Sequence, residues 1–239
     1  MKEDLINKIK SHGYWRINFQ PVVAIQKLKA LADCRNIVEK NSVSLRGWNY
    51  PHFPQRQSND TGIETGNNFY QGWTDWECYK EFWRMYQSGQ FLHYLALRED
   101  WWQSERGILC NRKDITPGTI LGVIMTTYQI TEIYEFLSRL ARNGIYDEGV
   151  IVNISLNNTL NRKLWIDDPR RMEFSYDRVV GTDRIELPIK RYRRDEIIVQ
   201  SKTLAFEAII YIFERFSWDN PPIDAIKKDQ EALLTKNFR

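Results

Sequence analysis

The chain has three imidazoles, His12, His52 and His93, each in a different setting. His52 belongs to the string Arg46-Gly47-Trp48-Asn49-Tyr50-Pro51-His52-Phe53-Pro54, which interleaves a guanidinium with rings. Arginine beside exposed rings can hold a phosphate while the rings stack on a flat ligand. Arg46, Trp48, Tyr50 and His52 are therefore candidate contacts to nucleic acid or a nucleotide-like anion. The competing reading has Trp48, Tyr50 and Phe53 plugging the loop onto the protein body.

His93 offers a second constellation. A hairpin turning at Ser88-Gly89 with a two-residue loop pairs Tyr86 with Phe91, Arg84 with His93 and Phe82 with Leu95. Glu99 and Asp100 follow just beyond the second strand. A cluster of Arg84, His93 and Glu99 can bind an anion or move protons, and it can equally be a polar network that satisfies only itself.

The third candidate is basic. Between Arg170 and Arg194 there are eight Lys or Arg residues against Glu173, Asp177, Asp183 and Glu186. Lys190, Arg191, Arg193 and Arg194 are its densest part and suit a phosphate backbone; a solvated surface or a docking site for an acidic protein are the alternatives. The carboxylate pairs Asp147-Glu148 and Asp167-Asp168 sit beside turns, where adjacent side chains point apart, and read as solubilising residues.

Familiar catalytic strings are missing. There is no GxxxxGK[ST], no GxGxxG after a predicted strand, no GxSxG and no HExxH. Cys34, Cys78 and Cys110 form no CxxC pair, so a zinc ribbon is not available, and free thiols in a reducing compartment are expected. No metal and no cofactor are expected. The charged start MKEDLINKIKSH is unlike a secretory signal, and no long apolar run suggests a membrane span, so the expected location is cytoplasmic.

These residues need a scaffold, and the composition allows one: 239 residues, 42% hydrophobic and 13% aromatic, with net charge +3. The patterning predicts an α+β fold, a mixed, largely antiparallel sheet of about six to eight strands with helices packed on it. Expected helices cover about 2–10, 25–40, 131–143 and 203–216, with a short one at the end. Expected strands cover 14–19, 43–48, 81–87, 90–97, 119–126, 150–156, 162–166 and 185–189. The strand at 119–126, the helix after it and the strand at 150–156 suggest a parallel β–α–β unit. Residues 49–68 read as a long loop. One compact domain over 1–239 is expected, with a possible two-lobe division near 110–118.

The function these features favour is a non-catalytic recognition or adaptor protein, binding nucleic acid or a nucleotide-like anion within a multi-subunit complex. The rivals are a metal-dependent phosphodiester hydrolase or nucleotide-processing enzyme using His52 or His93, and a purely structural interaction subunit with a protein partner.

Overall fold

The computed structural model describes residues 2–23, 26–103 and 114–237. Cys110 and part of the 110–118 segment lie outside the described residues.

Helix α1 (Lys2–Lys10) carries acids in its first turn and lysines in its last, as the helix dipole favours. It buries Leu5 and Ile9 against Trp73, Phe82 and Ala96. Strand β1 (Tyr14–Pro21) follows, with Trp15, Ile17 and Phe19 on its buried face. Helix α2 (Leu31–Asn41) starts later than the apolar spacing suggests. Asp33 sets that start, because its carboxylate accepts the Ala30 N–H at 2.8 Å.

Four strands come next: β2 (Thr61–Thr65), β3 (Phe69–Trp76), β4 (Tyr79–Tyr86) and β5 (Phe91–Ala96), then a 3₁₀ turn at Arg98–Trp101. After them come β6 (Ile120–Gly122), α3 (Val123–Arg142), β7 (Val150–Asn157), β8 (Lys163–Trp165), β9 (Arg184–Glu186), β10 (Lys190–Tyr192), α4 (Arg194–Glu214) and α5 (Ile223–Leu234). The main sheet runs β10-β7-β1-β5-β4-β3-β2, with β9 also on β7, and every neighbouring pair is antiparallel. Helix α3 lies on one face, its Phe136 edge-on to Phe91 at 4.9 Å, and α4 and α5 pack against α3. The α+β expectation holds.

Several local expectations are corrected. The apolar run 119–126 is a three-residue strand that turns into α3 at Val123. Strand and buried helix share the same apolar signature there. The decision comes from Asp167, whose two oxygens take the Ile124 and Met125 N–H groups at 2.7 and 2.8 Å. The β–α–β unit also dissolves, since β6 pairs in parallel with β8 whereas β7 lies antiparallel to β1. Residues 43–48 form no strand; Val43 makes a single bridge to Tyr50. The long polar interval contains β2, which has only Ile63 as an apolar marker. Pro188 ends one short strand, and β9 and β10 share the outer edge of β7 on either side of it.

The hairpin at Ser88-Gly89 exists with a different register. Tyr86 donates to the Gln90 carbonyl at 2.9 Å and receives Gly89 N–H at 2.9 Å, so the loop has three residues, and Gly89 adopts φ +87°. Trp83 rather than Arg84 faces His93, and a one-residue slip moves every side chain to the other face. Gly89→Ala should lower stability by about 1–2 kcal/mol through the positive φ alone. Its Cβ would also meet Ile145 Cγ2 at 2.9 Å. The urea midpoint reads the loss, and an unchanged midpoint contradicts this turn assignment.

Cys34 is free and buried, and burial pushes its thiol up to about 11. Cys78 is disulfide-bonded, against the expectation of free thiols. That removes the support which free thiols lent to a reducing compartment. Among the described residues no helix is long and apolar enough to cross a membrane.

Candidate functional site

Glu81 and Trp83 alternate with Phe82 along β4, so both project from the face that α3 covers. Glu81 is almost fully enclosed. Its Oε1 accepts the Trp48 indole N–H at 3.2 Å, and its Oε2 accepts the His52 backbone N–H at 3.1 Å. Trp83 donates its indole N–H to the His52 carbonyl at 2.8 Å. One strand therefore grips the 48–52 loop through both a carboxylate and a ring. His93, opposite Trp83 on β5, places Nε2 3.0 Å from Glu81 Oε2, within ion-pair distance. Its Nδ1 lies 3.2 Å from the Tyr50 hydroxyl. Burial pushes the Glu81 carboxyl up, yet His93 and His52 outweigh it and hold the group below its ordinary value.

Helix α3 supplies the opposite wall, where Met125, Gln129, Glu132 and Phe136 recur at helical spacing. Arg46 reaches across to it. Its Nε and Nη2 meet the two Glu132 oxygens at 3.0 and 2.8 Å, and Nη2 also meets Gln129 Oε1 at 3.1 Å. Burial pushes the Glu132 carboxyl up against the pull of Arg46.

Arg98, at the start of the 3₁₀ turn, completes the enclosure. Its guanidinium lies over the Tyr79 ring at 4.2 Å, Tyr79 stacks on Trp48 at 3.9 Å, and Trp48 stacks on His52 at 4.1 Å. Burial lowers the Arg98 guanidinium below its ordinary value. Arg98 Nε and Gln129 Nε2 are buried and find no acceptor among the described residues. The pocket between these walls encloses about 40 Å³, roughly three water-sized positions.

Arg46, Trp48, Tyr50 and His52 are thus brought together, but as a plug. Trp48 is stacked between His52 and Tyr79 and Tyr50 is buried, so neither of these two rings presents an open face for a base. Arg84, His93 and Glu99 are not brought together. Arg84 points to the other face of the sheet, where its Nε and Nη2 meet Gln71 Oε1 at 3.0 and 2.7 Å and its guanidinium covers Phe69. Glu99 accepts the Gly122 N–H at 3.1 Å below α3.

The basic candidates lie on β10 and the start of α4, four strand spacings from β4, or about 19 Å. Much of their charge is answered locally. Lys190 Nζ is 3.5 Å from Glu207, and Arg194 donates to the Ala141 carbonyl and stands 3.5 Å from Asp147. Farther back, Arg170 and Arg171 pair with Asp168 and Asp229. Arg191 and Arg193 remain exposed. Among the described residues no group of three or more His, Cys, Asp or Glu side chains is placed to hold a metal ion.

Glu81, Arg98, Gln129 and Glu132 were missed in the sequence. Their signal was a charged or amide residue inside an otherwise apolar strand or helix face, where burial is costly without a partner. No family model, curated protein or solved structure matches the chain.

Proposed function

We propose that this protein is a non-catalytic recognition module that holds an anionic group of its ligand in the pocket behind the 46–52 loop. The pairing of the pocket's cations supports this reading. Arg46 is matched by Glu132 and Lys80 by Asp75, whereas Arg98 has no carboxylate within ion-pair distance among the described residues. A largely buried guanidinium packed over a ring is restricted in its motion and so pre-organised to receive an anion. The hydrolase reading has less behind it: His93 is fully enclosed, and Glu81 is occupied by Trp48 and His52. A nucleic-acid face at 190–194 is weakened by the neighbouring acids.

The test is a thermal-shift screen of the full chain against acetate, benzoate, phosphate and AMP. At least one anion should raise Tm, and Arg98→Met should weaken the response tenfold or more, a charge-assisted hydrogen bond being worth about 1.5–3 kcal/mol. Neutralising Arg191 and Arg193 should leave it unchanged. A panel without effect, or a response indifferent to Arg98, removes the proposal.

A further inference from the structure

We infer that the group this pocket takes is a planar monoanion, a carboxylate rather than a phosphate; the inference rests on the anion-recognition reading above. Three observations lead to it.

The first is the donor set. Gln129 Oε1 is held by Arg46 Nη2 at 3.1 Å, which fixes the amide orientation and leaves Nε2 as the group without an acceptor. Arg98 Nε is the second such donor, and its guanidinium carbon lies 4.2 Å from the centre of the Tyr79 ring. A planar fork with one additional N–H suits two oxygens in a plane.

The second is space. About 40 Å³ accommodates two carboxylate oxygens and their carbon.

The third is charge. Glu81 and Glu132, both almost fully enclosed, line the same pocket, and Arg46 is already committed to Glu132. Arg98 is the one cation of the lining with no carboxylate at ion-pair distance among the described residues, and it already faces the charges of Glu81 and Glu132, so the site disfavours an anion carrying more than one negative charge. A phosphate dianion would leave a second charge facing two carboxylates in a medium that screens poorly.

A carboxylate can come from a small free acid or from a polypeptide, as its C-terminus or an acidic side chain. Titrating the full chain while following the side-chain N–H signals of Arg98 and Gln129 by NMR tests the idea. Acetate and benzoate should shift both signals saturably, while phosphate at equal ionic strength should not. Arg98→Lys, which keeps the charge but loses the fork, should weaken binding at least tenfold, and Gln129→Leu several-fold. An N-acetylated tripeptide with a free C-terminus that binds more tightly than acetate, while its C-terminal amide does not bind, assigns the source to a polypeptide. Equal affinity for acetate and the free tripeptide assigns it to a small acid. Phosphate binding tighter than acetate, with the same dependence on Arg98, overturns the carboxylate assignment and leaves anion recognition standing. No response to any of these anions overturns both.

Discussion

Asp100→Ala should destabilise the protein by about 3–5 kcal/mol, the range for leaving a buried charge without its partner. Asp100 and Arg162 are both almost completely enclosed, and the two guanidinium Nη atoms face the two carboxylate oxygens, Nη1 at 2.8 Å. Asp100 also receives Gly13 N–H at 2.7 Å and Gly118 N–H at 2.8 Å. Arg162 also donates from Nη1 to the Ile120 carbonyl at 3.0 Å and from Nε to the Asn158 carbonyl at 2.8 Å. This pair joins the entry to β1, the 3₁₀ turn, β6 and the approach to β8. Alanine at position 100 would strand a cation among carbonyls and orphan two backbone donors together. Replacing both partners with apolar residues of similar volume, Asp100→Leu with Arg162→Met, should cost clearly less than the single change, because no charge is left unmatched. Urea unfolding followed by tryptophan fluorescence gives both values. A loss below 1 kcal/mol for the single variant would remove the pair from its structural role.

The periodic parts of this fold were legible. Trp15, Ile17 and Phe19 alternate in β1, Val150, Val152, Ile154 and Leu156 alternate in β7, and the apolar stripe of α4 is unbroken from Leu204 to Phe213. In each the side-chain period states the element. What escaped was decided by single polar groups. Asp167 makes a helix start of a run that reads equally as strand. Gly89 in the left-handed region adds one residue to the hairpin loop and turns His93 away from Arg84 and toward Glu81.

The site followed the same logic. The string 46–54 stood out by composition, but composition does not reveal whether a ring is covered. Trp48 is sandwiched because Glu81, far away in sequence, holds its indole N–H. The arginine surplus between residues 170 and 194 likewise shrinks when acids outside that window are counted. Glu207, Asp229 and Asp147 approach Lys190, Arg171 and Arg194 only in the fold. Charge counted along a chain overstates a patch whose partners are distant in sequence.

Glu81→Ala should be the second most damaging single change, at about 3 kcal/mol at pH 7, since it releases the 48–52 loop and leaves the indole N–H of Trp48 and the His52 N–H without acceptors. Its acid dependence has a definite sign. The folded Glu81 carboxyl sits below its ordinary value of 4.5: burial raises it, but His93 and His52 outweigh that effect. The stability it contributes is therefore present above about pH 4.5 and disappears as pH falls through the lower folded value. His52 is depressed from 6.5, chiefly by burial and in spite of Glu81, so its neutral form is favoured in the fold. Its contribution is complete above about pH 6.5 and is lost as pH falls below that. The 48–52 loop should accordingly weaken in two windows, first through His52 and then through Glu81. Urea midpoints of wild type, His52→Gln and Glu81→Gln between pH 7.5 and pH 3 separate them. Wild type and His52→Gln should converge below pH 6.5, and wild type and Glu81→Gln only below pH 4.5. If the Glu81→Gln difference is the same at pH 7 and pH 3, the carboxylate is not what fastens the loop to β4.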